Sequence, residues 1–297
     1  MQHCPGIGPA RLEKLREAGI LSWTDVLEHA ERIPNSHRKA LEEERGRCLV
    51  ALEAANIRYF VDHFMPHDRW RILSHFLEQA SYFDIETAGL ENGAPITVIV
   101  CWHRGELFSF VEHENLDEFL DLLDDMTLLV SFNGSSFDVP RILDAFHIPD
   151  LPCPHLDLRW SCYHRGFRGG LKDIAERMSI TRPEDLQNAD GAEAIQLWNA
   201  WMLSQDQDAR QRLLRYCAAD VLLLVMIAHQ IVEREDIDGP DCWSQLAQRF
   251  VVPASAPARL TAETRVSLFG ATSPERLRRK LQITKRLRRK SQITKGK

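Results

Sequence analysis

Two acidic residues two positions apart, Asp84 and Glu86, form the pattern with the most specific chemistry in this chain. They lie in residues 80–87, whose aromatic and β-branched residues predict a β-strand. Because strand side chains alternate between faces, both carboxylates lie on one face. Adjacent carboxylates repel each other unless a cation neutralises them, and Mg²⁺ and Mn²⁺ prefer oxygen ligands. The pattern favours a divalent-metal site. The alternative is an edge strand with solvated acids, since the chain has 43 Asp and Glu residues.

Three later residues could complete such a site. Asp138 begins a predicted helix, where the helix dipole favours a carboxylate, so a capping role is its simplest explanation. Tyr216 and Asp220 are four residues apart in a predicted helix of about 208–235, so they share a helix face. A buried aspartate in this apolar helix needs a partner, because an unpaired buried charge is costly. A metal ion shared with Asp84 would be such a partner.

The elements that would position these residues alternate between strands and helices. After the first strand come a predicted hairpin (96–102 and 106–111), a helix (116–125), a strand (127–132), the helix that begins near Asp138, and a short strand (155–159). A further helix begins after Gly169 and Gly170, and Lys172 in its first turn could contact a phosphate. His155 and Asp157 could line a cleft, but a hydrogen-bonded strand end explains them more simply. This order predicts an α/β domain.

The first 66 residues are expected to form a small helical region. Pro9 suits a first helical turn, and Gly6 and Gly8 before it let backbone amides approach an anion. Residues 5–27 resemble the helix-hairpin-helix motif, which binds nucleic-acid phosphates, although only four residues precede the segment. The alternative is a helical cap on the next domain. The chain is expected to be helical from Asn35 to about Met65.

Charge divides the chain into an acidic body and a basic tail. Residues 276–297 contain 11 Lys and Arg and no acid, whereas the rest carries 26 basic and 43 acidic residues. We expect residues 253–297 to be a disordered tail with accessory contacts to nucleic-acid backbone, or else a solubilising tail. Seven scattered cysteines favour reduced thiols. The absence of a signal peptide and of an 18-residue apolar stretch predicts a cytoplasmic protein without a membrane partner.

The three motifs together resemble a known family. Asp84-x-Glu86, Asn133-x-x-x-Phe137-Asp138 and Tyr216-x-x-x-Asp220 occur in the order of the motifs of the DEDD 3′–5′ exonucleases, tyrosine subtype. Residues 70–232 also resemble the bacterial ribonuclease H-like domain exonucleases. The resemblance implies a ribonuclease H-like fold, a mixed five-stranded sheet flanked by helices, over residues 70–236.

The same resemblance implies a mechanism that uses two Mg²⁺ or Mn²⁺ ions about 3.5–4 Å apart. Asp84 would bridge both ions, Glu86 and Asp220 would complete the shell of one, and Asp138 would act through the second shell. Tyr216 would mainly orient the attacking water, because a pKa of about 10 makes it a poor base at neutral pH. Asn133 would support the cleft or contact the substrate.

We therefore expect a metal-dependent 3′–5′ exonuclease that acts on DNA or RNA, with single-stranded 3′ ends favoured. The alternative is a catalytically inactive nucleic-acid-binding module on the same fold, and a structure-selective endonuclease is a third possibility. The sequence leaves the choice between DNA and RNA open, because no residue is placed against a 2′-hydroxyl. It also leaves protein partners and oligomeric state open.

Overall fold

The protein, described here by a computed structural model at residues 1, 3–91 and 93–247, has two compact units. The first is Met1–Phe76 and the second begins at Leu77. The first unit therefore extends ten residues past the expected end at residue 66. The expected basic tail, 253–297, lies outside the described residues, and the roles assigned to the three regions remain predictions.

The first unit is helical. Its elements are α1 (Pro9–Glu17), α2 (Trp23–Glu28), α3 (Asn35–Glu53), α4 (Ile57–His63) and α5 (Trp70–Phe76), with 3-10 turns at Ala30–Arg32 and Pro66–Asp68. Pro9 occupies the first turn of α1 as expected, and Gly19 follows the helix end with a left-handed φ of 79°. A buried apolar cluster that includes Ile7, Leu15 and Leu41 forms the core of this unit.

The helical structure expected from Asn35 to about Met65 is confirmed, and it is divided into two helices, α3 and α4. Ala55 ends α3 with a left-handed φ of 47°. Asn56 then caps α4, its side chain accepting a hydrogen bond from the Tyr59 amide. The helix-forming residues on both sides conceal this break, since asparagine is the one clear start signal between them.

The second unit contains the predicted sheet. Its strands are β1 (Ala80–Thr87), β2 (Ile96–His103), β3 (Glu106–Val111), β4 (Leu128–Ser131) and β5 (His155–Asp157), in the order β3-β2-β1-β4-β5. The pairs β1–β2 and β2–β3 are antiparallel, whereas β1–β4 and β4–β5 are parallel. The mixed five-stranded sheet is therefore confirmed, with β1 at its centre.

Helices and 3-10 turns flank the sheet. The helices are α6 (Phe119–Leu123), α7 (Asp138–Phe146), α8 (Leu158–His164), α9 (Leu171–Arg177), α10 (Gly191–Ser204), α11 (Gln207–Ile231) and α12 (Gly239–Ser244). The 3-10 turns are Leu77–Gln79, Leu116–Glu118, Glu184–Leu186 and Gln245–Ala247.

The two faces of β1 have different partners. Phe83 and Ile85 pack into a buried cluster with residues of α6 and α7, such as Phe119 and Ile142. The other face carries Asp84, whose carboxylate and carbonyl oxygens both lie 3.6 Å from Sγ of Cys217 in α11. The strand alternation expected from the sequence thus separates an apolar face from a polar one.

Helix α11 is long and apolar. Within the described residues it is the one helix that could cross a membrane by length and hydropathy, although no such stretch was expected from the sequence. In the most apolar 18-residue segment of this helix, 83% is buried inside the protein. This burial is typical of the core helix of a globular domain, and it brings α11 against the central strands β1 and β2.

Candidate active site

The polar face of β1 brings Asp84 and Glu86 against α11. Oxygen atoms of the two carboxylates and Sγ of Cys217 all lie within 4.8 Å of one another. Burial raises the pKa of the Cys217 thiol well above its usual range, and the nearby carboxylates raise it further. The thiol therefore stays protonated and can donate to Asp84.

Asp138 reaches the same place from the first residue of α7. Its side chain is buried, and burial raises its pKa to about 7, although the backbone amides of Asp138 itself and of Ile85, between the two acids of β1, oppose the rise. The loop before α7 approaches it closely: a Cβ atom at Gly134 would lie 1.8 Å from Oγ of Ser131 and 3.1 Å from Oδ2 of Asp138. Glycine at position 134 therefore allows the loop to pass beside the carboxylate.

Asp220 and Tyr216 complete the group from α11. Both are buried, and burial raises the pKa of Asp220, although Arg182, Lys172 and then Tyr216 oppose the rise. Nζ of Lys172 lies 3.3 Å from Oη of Tyr216 and 4.8 Å from the centre of its ring. The predicted constellation on β1, α7 and α11 is thus brought together in one unit, with Lys172 beside it.

Arg182 is a neighbour that the sequence analysis missed. Its Nη2 lies 3.1 Å from Oδ1 of Asp220, and its guanidinium lies 5.3 Å from the centre of the Tyr216 ring. The side chain is buried, yet within the described residues none of its three nitrogen atoms meets hydrogen-bond geometry, nor does Oδ1 of Asp220. No motif marks Arg182, because tertiary packing alone brings it to the carboxylates.

Burial raises the pKa of every carboxyl group in the cluster. It raises the pKa of Glu86 to about 8, where Asp220 and Asp138 add to the effect, and that of Asp138 to about 7. The pKa of Asp84 lies well above its usual range, through burial and then through Asp138, Glu86 and Asp220. Burial also raises the pKa of Asp220, although Arg182 and Lys172 oppose the rise.

These groups fit divalent metal ions. Four carboxylates supply the hard oxygen donors that Mg²⁺ and Mn²⁺ prefer. Without a bound cation, the ionised forms of these carboxylates are disfavoured. In addition, the buried Oδ1 of Asp220 accepts no hydrogen bond within the described residues. A divalent cation would remove the repulsion between the carboxylates and give that oxygen a second cationic partner beside Arg182.

The loop between β4 and α7 is held by Asp157 at the end of β5. The Asp157 carboxylate accepts hydrogen bonds from the Asn133 and Ser135 amides at 2.8 and 3.1 Å. Asn133 has a left-handed φ of 62°, and its Oδ1 accepts a hydrogen bond from Arg159 at 2.6 Å. The hydrogen-bonded strand end expected at Asp157 is therefore confirmed, and the substrate contact of Asn133 remains a prediction.

Gly6 and Gly8 belong to the first unit. Gly6 has a φ of 79°, and its carbonyl accepts a hydrogen bond from Arg11. Gly8 is the N-cap of α1. The contact of Gly6 and Gly8 with phosphate remains a prediction. The first unit also contains a group of side chains that could bind a metal ion, His3, Glu44 and Cys48. However, both carboxylate oxygens of Glu44 already accept hydrogen bonds, one from Arg47 and one from Tyr59.

A family model agrees with this geometry. The model, described as the RNase_H superfamily, matches residues 81–232, about half of the chain, and these residues include the whole carboxylate cluster. No curated protein matches the chain. Among solved structures, the family B DNA polymerase from the hyperthermophilic archaeon Pyrobaculum calidifontis is similar, with 17% identity and a TM-score of 0.43. The match covers 57% of this chain and 27% of the polymerase chain.

Proposed function

The chain belongs to the RNase H superfamily, and on that premise we propose that it is a metal-dependent 3′–5′ exonuclease that hydrolyses phosphodiester bonds of DNA or RNA. The observation that carries this proposal is the convergence of four carboxylates in one cluster, in which Asp138 and Asp220 are buried and Asp84 and Glu86 are partly buried. The order of the three motifs along the chain supports the 3′–5′ direction. Single-stranded 3′ ends are the favoured substrate.

The four carboxylates would hold the metal ions, and we propose two Mg²⁺ or Mn²⁺ ions. When bound, such ions neutralise charge on the reacting phosphate and lower the pKa of the attacking water. Without cations, the carboxylates would repel the phosphate that has to approach them. The enzyme should therefore be inactive in chelator.

The remaining side chains would position the reactants. Burial raises the pKa of Tyr216 far above neutrality, so its hydroxyl stays protonated and orients water through a hydrogen bond rather than removing a proton. Lys172 and Arg182 place two cationic side chains beside Tyr216. They would attract the phosphate and oppose the negative charge that develops on it.

The test is degradation of 5′-labelled single-stranded DNA and RNA of equal sequence with Mg²⁺, with Mn²⁺ and with chelator. We expect a ladder that shortens from the 3′ end, requires metal, and is absent in Asp84→Ala. Asp138→Asn should also lose most activity. Asp144→Asn is the matched control, because Asp144 is an exposed aspartate of the same helix and should be dispensable.

Three outcomes would change this proposal. Cleavage of a substrate with both ends blocked would replace exonuclease with endonuclease action. A ladder that shortens from the 5′ end would reverse the polarity. Folded protein that binds nucleic acid but cleaves nothing with any metal would leave the inactive binding module as the function.

A further inference from the structure

Helix α8 leaves two aromatic side chains unburied. Its inner face packs Leu158 and Cys162 into the protein. Trp160 and Tyr163, three residues apart on one outer face, are 51% and 43% exposed. Their rings meet edge to face with centroids 6.0 Å apart. Burial would stabilise such large apolar surfaces, so their exposure indicates a contact with something outside the domain.

The two rings border a surface groove of about 610 Å³ whose lining is rich in aromatic side chains and whose charged residues are basic. Two arginines line it with them: Arg159 donates a hydrogen bond to Asn133, and the guanidinium of Arg168 lies 4.9 Å from the centre of the Tyr163 ring. No acidic residue is among the described residues that line this groove. Aromatic rings and guanidinium groups in one groove suit a ligand with flat rings and negative charge.

Two lining segments of this aromatic groove also contact the surroundings of the carboxylate cluster. On one side, Asn133 is tied to Asp157, whose negative charge contributes to the raised pKa of Asp138. On the other side, Gly170 caps α9, the helix from which Lys172 reaches Tyr216. A chain molecule that lies in the groove could therefore continue into the site.

We propose that the aromatic groove binds the single strand of the nucleic acid, with bases stacked on Trp160 and Tyr163 and phosphates against Arg159 and Arg168. Base–aromatic stacking suits any base, because every base has a flat face. A duplex buries those faces between its own base pairs, so the groove discriminates against duplex. The choice of nucleic acid as the ligand rests on the proposed function.

The test measures binding in an uncleaving background, the full chain with Asp84→Asn, by fluorescence anisotropy. The probes are a labelled 15-nucleotide oligothymidylate, the same oligonucleotide in a duplex, and an oligouridylate of equal length. Trp160→Ala combined with Tyr163→Ala should weaken single-strand binding at least about tenfold, since stacking contributes roughly 5- to 150-fold per base. Duplex binding should change by less than about twofold.

Conservative variants separate stacking from structural effects. Trp160→Phe with Tyr163→Phe keeps flat rings and should restore most of the affinity. Arg168→Ala should reduce the slope of log single-strand affinity against log salt by about 0.7, the value for one phosphate. Arg104→Ala is its matched control: Arg104 is an exposed arginine in the turn between β2 and β3, at the opposite edge of the sheet, and its removal should leave the slope unchanged.

Failure of this inference can be told from failure of the proposed function. Equal single-strand affinity with and without the two aromatic rings, in folded protein, would overturn the aromatic groove even if cleavage requires Asp84. An equal loss for single strand and duplex would also overturn it, because stacking predicts selectivity. If the two alanine substitutions abolish single-strand binding and the protein without any substitution cleaves nothing, the groove is supported and the nuclease is refuted.

Discussion

Glu86 and Asp138 hold their protons to unusually high pH because burial and neighbouring carboxylates disfavour their ionised forms. In the unfolded chain both groups ionise near pH 4. A carboxyl group whose folded pKa is raised binds more protons in the folded state across the interval between the two values. The free energy of unfolding therefore decreases as pH rises through that interval.

We predict that, in chelator, the protein loses stability between about pH 5 and pH 8, with Tm falling by at least about 5 °C. Thermal unfolding at a series of pH values measures this. Added Mn²⁺ should flatten the dependence, because an ion that binds the ionised carboxylates in the folded state stabilises that state. A Tm that is constant or rises with pH in chelator would contradict the prediction.

Variants of the cluster should change that dependence in opposite directions. Glu86→Gln removes one titrating group, so the loss of stability with pH should become smaller. Arg182→Met removes a cation that lowers the pKa of Asp220, so the loss should become larger. Asp144→Asn, an exposed change on α7, should leave the dependence as it is.

The sequence predicts the residues of the cluster better than its surroundings. The four carboxylates and Tyr216 stand out because their spacing on predicted strands and helices is local information. Arg182 and Cys217 do not, because each reaches the cluster through the packing of distant segments. Trp160 and Tyr163 were missed for another reason: the sequence analysis predicts no helix over them, and only the structure shows that α8 leaves both side chains exposed.

At the level of elements, regular periodicity made the sheet and α11 predictable. Boundaries defined by one residue, such as the break between α3 and α4 at Ala55, were not. The loop between β4 and α7 is the element on which the site depends most directly. It passes so close to Ser131 and Asp138 that only glycine fits at position 134.

We predict that Gly134→Ala lowers nuclease activity at least tenfold while the domain still folds. The new methyl group would force Ser131 and the Asp138 carboxylate apart, and such overpacking costs about 1–3 kcal/mol. Gly191→Ala is the matched control, because the space around Gly191 is open and the substitution in the first turn of α10 should be neutral or slightly stabilising. Activity and thermal unfolding of both variants check this; full activity in Gly134→Ala would refute the close approach.

Over most of the molecule, the net negative charge opposes binding of the proposed substrate, which is a polyanion. Outside residues 276–297 the chain carries 26 basic and 43 acidic residues, so most of the protein repels a polyanion. Ten of the 11 basic residues of 276–297 lie in two near-repeats, 276–285 and 286–295. If they bind nucleic-acid backbone, they release counterions, and affinity then depends steeply on salt.

We predict that removal of residues 276–297 weakens single-strand binding at low salt. The slope of log affinity against log salt should fall by several units, because each phosphate that is no longer neutralised changes it by about 0.7. Cleavage of short substrates by the carboxylate cluster should persist, because the cluster lies in a different part of the chain. A graded control neutralises only the second repeat, through R286Q, R288Q, R289Q, K290Q and K295Q, and should give about half the change. Unchanged salt dependence in both variants would show that the basic segment serves solubility rather than binding, and the aromatic groove would then have to provide the affinity by stacking.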